Sequence, residues 1–214
     1  MIFVTEYLPL ALLQFLLVLL LRETFFMANL NKQIVTQIPE PPFSRFLFAD
    51  TRLAFVWLLL RVYIGWEWLQ AGWEKVTSPM WFGSTAGTAL KGFLMGALKK
   101  TTGAHPDVSG WYGAFVQGFV LHHVTIFSNI VACGELLVGV GLILGIFTGI
   151  SAFFGAFMNM NYLFAGTISV NPFMFVCELF IILAWRIAGW YGLDRYVLPM
   201  LGTPWQPGKI FKKK

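Results

Sequence analysis

The chain has 214 residues, of which 57% are hydrophobic and only 12% charged, and its mean hydropathy is +0.71. Soluble domains carry about 25% charged residues, so the chain has roughly half the charge needed to cover a water-facing surface, and a membrane bundle is the economical reading. The net charge of +5 gathers at the ends of apolar runs and forms no basic face, which argues against a nucleic-acid partner.

A spanning helix needs about 20 mostly apolar residues. The first such stretch covers roughly residues 2–27, contains Pro9 and Gln14, and ends at Arg22 and Glu23. It lacks the basic start and small-residue cleavage site of a signal peptide, so residues 1–28 read as an uncleaved N-terminal anchor. A polar linker over 29–50 follows, broken by Pro39, Pro41 and Pro42. The second span is expected at about 52–73. A long loop, 75–123, separates it from three closely spaced spans at about 124–147, 149–168 and 172–191, whose short connections make them antiparallel neighbours. A basic tail, 194–214, ends in three lysines.

With five spans, one side receives nine cations: Arg22, Lys32, Arg45, Arg52, Arg195, Lys209 and Lys212 to Lys214. The other receives four, Lys75, Lys91, Lys99 and Lys100. The richer side is expected to be cytoplasmic, which puts the long loop outside a plasma-membrane protein. Within that loop, Leu90, Phe93, Leu94 and Ala97 share one face of a short helix, and Trp111, Phe115 and Phe119 recur at intervals of four. Both segments read as amphipathic helices lying on the outer surface or capping the bundle.

Charges inside a bilayer are costly unless paired, hydrated or turned inward. On the second span Arg61, Gly65, Trp68, Gly72 and Lys75 form one helical stripe, and Glu67 and Glu74 a second. The third carries Glu135 between Gly134 and Gly139, the fourth aligns Gly155, Asn159, Tyr162 and Gly166, and the fifth spaces Asn171 and Glu178 by seven, with Arg186 beyond. Glycines that let helices approach, with polar groups bonding between them, would give this pattern in a solid bundle. Three interior carboxylates and an interior arginine exceed what packing requires, and point to a polar pocket at the outer end. Its expected walls are Arg61, Trp68, Lys75, Glu135 and Asn159, with His122 or His123 near the entrance and Glu135 as the partner of Arg61. Adjacent histidines on a helix point about 100° apart, so His122 and His123 do not ligate one haem together. Cys133 and Cys177 lie in apolar runs as core thiols, and no metal or flavin motif is visible.

The stretch LLLRVYIGWEWLQAGWEKV (58–76), with Arg61, Gly65 and the segment 71–75, resembles the first core helix of the DoxX/DoxD family of bacterial and archaeal membrane proteins. WYGAFVQGFV (111–120), ACGELLVGVGLILGIFTG (132–149), FMNMNYLFAG (157–166) and GWYGLDRY (189–196) continue the resemblance over about residues 50–200. It implies an all-α, polytopic bundle with a four-helix core over 51–193, to which this chain adds an N-terminal helix. Its DoxD branch implies the membrane subunit of a thiosulfate:quinone oxidoreductase, which joins two thiosulfates into tetrathionate and passes two electrons to a quinone, with a companion subunit. In that reading Glu135, His122 and His123 exchange protons with the quinone, while Arg61, Trp68, Lys75, Asn159 and His105 bind substrate. The alternative is a non-catalytic accessory or anchor subunit of a respiratory or redox complex. Both readings imply lipid, other membrane or redox subunits, and compatibility with self-association.

Overall fold

Residues 40–202 are described in the computed structural model. The expected span over 2–27, the linker up to residue 39 and the lysine tail lie outside the described residues. Helix α1 (Pro42–Ala49) opens on a proline, whose fixed φ and missing N–H suit a first helical position. Asp50 then accepts the Arg52 amide at 2.9 Å and starts a 3-10 turn, Thr51–Leu53, that leads into α2 (Ala54–Thr77). The Trp57 indole reaches back to the Leu47 carbonyl at 3.0 Å and holds α1 against it. From Pro42 onward the described residues form one compact unit.

Among the described residues all regular structure is helical. After α2 come α3 (Thr88–Lys99) and α4 (Gly110–Phe115). Helix α4 loosens into a π turn, Val116–Val120, tightens into a 3-10 turn, Leu121–His123, and continues as α5 (Val124–Leu144). Helices α6 (Thr148–Phe164), α7 (Asn171–Leu183), α8 (Trp185–Ala188) and α9 (Asp194–Leu201) complete the described residues. Helix α2 packs on α5, α5 on α6, α6 on α7, and α7 closes back on α2, so four helices form a ring.

Two glycines set the closest approach of backbones in that ring. A Cβ on Gly72 would lie 2.3 Å from the Leu136 nitrogen, and one on Gly139 would lie 2.5 Å from the Leu69 nitrogen. The backbones of α2 and α5 therefore touch at both points, which only residues without a side chain permit.

The distribution of side chains differs from that of a water-soluble fold, with polar groups buried within an apolar core and many large apolar groups exposed. Arg61, Ser128, Glu135, Thr148, Asn159, Glu178 and Asp194 are buried. Phe55, Leu59, Trp66, Ile126, Ile130, Leu137, Phe153, Phe154, Phe157, Phe173, Leu179 and Leu183 are exposed on the outside of the ring. So large an apolar surface marks a face that meets something other than water. The run from Gly110 to Leu144, 35 residues long, is the one helix among the described residues long and apolar enough to cross a membrane by itself.

The loop between α2 and α5 has its own core, in which Leu90, Leu94 and Ala97 of α3 meet Val108, Tyr112, Val116 and Val120. The α3 face is the one expected, with Phe93 at its margin. The second segment departs from expectation in its continuity. It is not a separate surface helix but the first part of the run that becomes α5, because the π and 3-10 turns carry helical bonding through the histidine pair. Its inward face is Tyr112, Val116 and Val120, whereas Trp111, Phe115 and Phe119 are exposed. Both stripes have the same spacing and both are apolar, so periodicity cannot separate them once the outer solvent is itself apolar.

Candidate functional site

Lys75 lies in the last turn of α2, where a cation also meets the negative end of the helix dipole. Its Nζ donates to Glu135 Oε2 of α5 at 2.6 Å and lies 5.1 Å from the centre of the Trp81 ring. The pair is largely enclosed, with Lys75 19% and Glu135 1% exposed. The Tyr162 hydroxyl of α6 donates to the other oxygen, Oε1. Helices α2, α5 and α6 thus meet on one carboxylate. Next to it, Glu178 of α7 accepts from the Trp68 indole of α2 through Oε1 and from Asn159 Nδ2 of α6 at 2.8 Å through Oε2. Two buried carboxylates with committed donors tie the four helices of the ring together.

Beside Glu135 and Asn159 lies a cavity of about 330 Å³. Trp68, Glu135, Asn159 and Met174 line its buried end, Trp81, Phe93 and Tyr162 its flanks, and Ser169 and Val170 its exposed mouth. The α3 region roofs it. Ser128 Oγ donates to the Trp81 carbonyl at 2.7 Å, Lys100 Nζ to the Gly166 carbonyl at 2.6 Å, and Phe93 meets Tyr162 edge to face at 6.0 Å. Three flanking rings, a buried polar end and an ion pair suit a small, largely apolar molecule oriented by a few polar contacts.

Four of the residues singled out in the sequence, Trp68, Lys75, Glu135 and Asn159, line this cavity together. Arg61 does not, and its expected pairing with Glu135 is corrected. Its Nη1 donates to the carbonyls of Leu142 and, at 2.9 Å, Ile143, and its Nη2 donates to the Tyr191 carbonyl at 2.9 Å. The reason is helix length. Fourteen residues of α2 separate Arg61 from Lys75, about 21 Å of rise, so one stripe reaches both ends of the ring. At the Arg61 end α5 stops at Gly145, with φ +64°, and leaves its last carbonyls open to a cation. Asp194 completes that end, accepting the amides of Phe147 at 2.6 Å and Thr148 at 2.9 Å at the start of α6.

The histidines also lie elsewhere. His105, His122 and His123 are exposed and none lines the cavity, and the His123 ring lies 5.3 Å from the centre of Phe119. Sequence reasoning left Tyr162, Glu178 and Asp194 outside the candidate set. The first two carried a signal, since Tyr162 shares a stripe with Asn159 and Glu178 is a lone carboxylate in an apolar helix. Asp194 carried none, because its role depends on a chain return that spacing does not reveal. Among the described residues no group of three or more His, Cys, Asp or Glu side chains gathers.

The described residues form an all-helical fold with a few buried polar groups and a large exposed apolar surface. A family model, DoxX, matches residues 56–167, from the first turns of α2 to the end of α6. The chain belongs to the DoxX family, which places it at the membrane. No curated protein and no solved structure matches it.

Proposed function

We propose that the chain is a multi-pass plasma-membrane subunit of a quinone-linked oxidoreductase of the DoxD kind, and that the cavity receives the quinone ring. The supporting observation is the cavity itself, where the Lys75–Glu135–Tyr162 chain meets an aromatic wall beneath a fixed roof. Reducing a quinone takes two electrons and two protons, and a carboxylate bonded to a phenol and an ammonium is suited to relay the protons. The electrons come from a companion subunit on which two thiosulfates, or a related sulfur oxyanion, are joined. The oxyanion is assigned to that subunit because Lys75 is the one cation among the described residues that lines the cavity, and it is already paired.

In this reading α2, α5, α6 and the α7–α8 pair all cross the bilayer, with a fifth span near the N-terminus. Helix α6 rises about 26 Å and residues 171–188 about 27 Å, close to the hydrocarbon thickness of about 30 Å. The loop over 75–123 faces outward and the lysine tail faces the cytoplasm. Cysteines placed at Thr101 and Lys213 test this: an impermeant label should reach only the first on intact cells, and the reverse pattern overturns the topology.

The accessory reading has one observation in its favour, since Glu135 and Glu178 bond across helices as struts would. Native membranes separate the two. Thiosulfate-dependent quinone reduction should disappear in Glu135→Gln membranes that retain the assembled complex. Unchanged turnover there leaves an accessory role.

A further inference from the structure

Resting on the assignment of this cavity to a quinone-class ring, we infer that the site is built for a hydrogen-bond donor and prefers the hydroxylated, reduced ring to the quinone. The polar inventory of the buried end leads there. Trp68 Nε1 and Asn159 Nδ2 are committed to Glu178, the Tyr162 hydroxyl to Glu135, and Lys75 shares one N–H with Glu135. What remains deepest is an acceptor. Asn159 is 0% exposed, lines the cavity, and its Oδ1 has no hydrogen-bond partner. Its orientation is fixed by chemistry, because turning the amide over would set its oxygen against the Glu178 carboxylate. A buried carbonyl without a donor is costly and gains most from a ligand that supplies one.

Charge narrows the ligand further. One cation, Lys75, faces Glu135 and the half-buried Glu67 within the lining, with Glu178 directly behind Asn159. That balance disfavours a dianion and leaves a neutral hydroxylated ring, its hydroxyl on Asn159 Oδ1 and its faces between the aromatic flanks. A benzoquinone carries only acceptors and would set a carbonyl against Oδ1. The corresponding benzenediol presents O–H at the same place. Binding the diol more tightly raises the midpoint potential of the bound two-electron couple by about 30 mV per tenfold preference. The cavity therefore draws electrons toward the bound ring.

The test uses the full chain in lipid nanodiscs, without oxygen, and three probes of one skeleton measured by calorimetry: 2,3-dimethoxy-5-methyl-benzoquinone, its hydroquinone, and the hydroquinone dimethyl ether. The hydroquinone should bind roughly tenfold or more tighter than either of the others. Ala71→Phe, which fills the lining, should weaken all three. The quinone matches the hydroquinone in size, while the dimethyl ether keeps the aromatic ring without an O–H donor, and neither comparison needs an altered protein. If the quinone or the ether binds as tightly as the hydroquinone, the donor preference is overturned while the ring site stands. If none of the three binds, or if Ala71→Phe changes nothing, the assignment of the cavity to a quinone-class ring falls with it.

Discussion

The two ends of the helical ring each enclose a cation from the same stripe of α2, Arg61 fully and Lys75 largely, and they use it differently. Arg61 grips backbone carbonyls at the end of α5 and in the segment before α9, beside an aspartate that caps α6. Lys75 grips a carboxylate that also receives a tyrosine hydroxyl, at the edge of a cavity. Backbone partners neither titrate nor move without unfolding, so the Arg61 end is scaffold. Side-chain partners beside an open volume can exchange protons and accommodate a guest. The kind of partner therefore separates structure from function better than the presence of the charge.

That contrast is sharpest under mutation. Arg61→Ala removes a charged donor from three carbonyls and should cost about 4 kcal/mol, read as a fall in thermal unfolding temperature in detergent. Arg61→Lys should not restore it, because a single ammonium cannot span carbonyls on two segments as a planar guanidinium does. The fraction that stays folded should still bind ring probes normally, and loss of binding would mean the two ends are coupled. Glu135→Gln strands the Lys75 ammonium at the other end. Breaking such a pair typically costs about 3–5 kcal/mol, and partial exposure of Lys75 should bring this to about 2 kcal/mol. Here ring binding should weaken by more than stability alone explains, and parallel losses would sink the distinction between the ends.

Smaller effects should follow at the rim of each region. Trp68→Phe keeps the ring in the wall but removes the indole donor from Glu178, for an expected loss of about 1–2 kcal/mol and a modest change in ring affinity. Asp50→Asn, in the exposed turn before α2, should matter least. Hydrogen bonds from Arg52 hold the Asp50 carboxyl at about 2 instead of its ordinary 3.8. A depressed carboxyl stabilises the fold above its unfolded value and loses that contribution as pH falls through the folded one. The wild-type turn should therefore hold at pH 4 and release near pH 2, whereas the asparagine variant should show no such step by hydrogen exchange of the Arg52 amide.

Much of this architecture was legible in the sequence, for reasons that also explain the misreadings. Apolar runs bounded by charge predicted α2, α5 and α6, and the extra charge in the first of them predicted where polar contacts converge. Lys75, Glu135, Asn159 and Trp68 were identifiable because each is expensive in an apolar helix unless it meets another. Arg61 was misplaced because angular position around a helix says nothing about depth along it. The spacing of Trp111, Phe115 and Phe119 did not reveal which face of the helix meets the core, because an apolar outer surface removes the contrast on which amphipathic patterns rest. The cap from Asp194 depends on how the chain returns after α8, which local pattern does not encode.

The loosened turn at Val116–Val120 has a further consequence. Tyr112, Val116 and Val120 serve the core beneath the roof, and Val138 and Leu142 serve the core of the ring, yet all belong to one continuous helical run. Positions repeating every four residues drift by about 40° per step on an ideal α-helix, and a wider π turn absorbs part of that drift. The two cores are thus geared to each other through a single shaft. Adding or deleting one residue between 116 and 120 would turn one core against the other by about 100°. That stretch should therefore tolerate changes of side chain far better than any change of length.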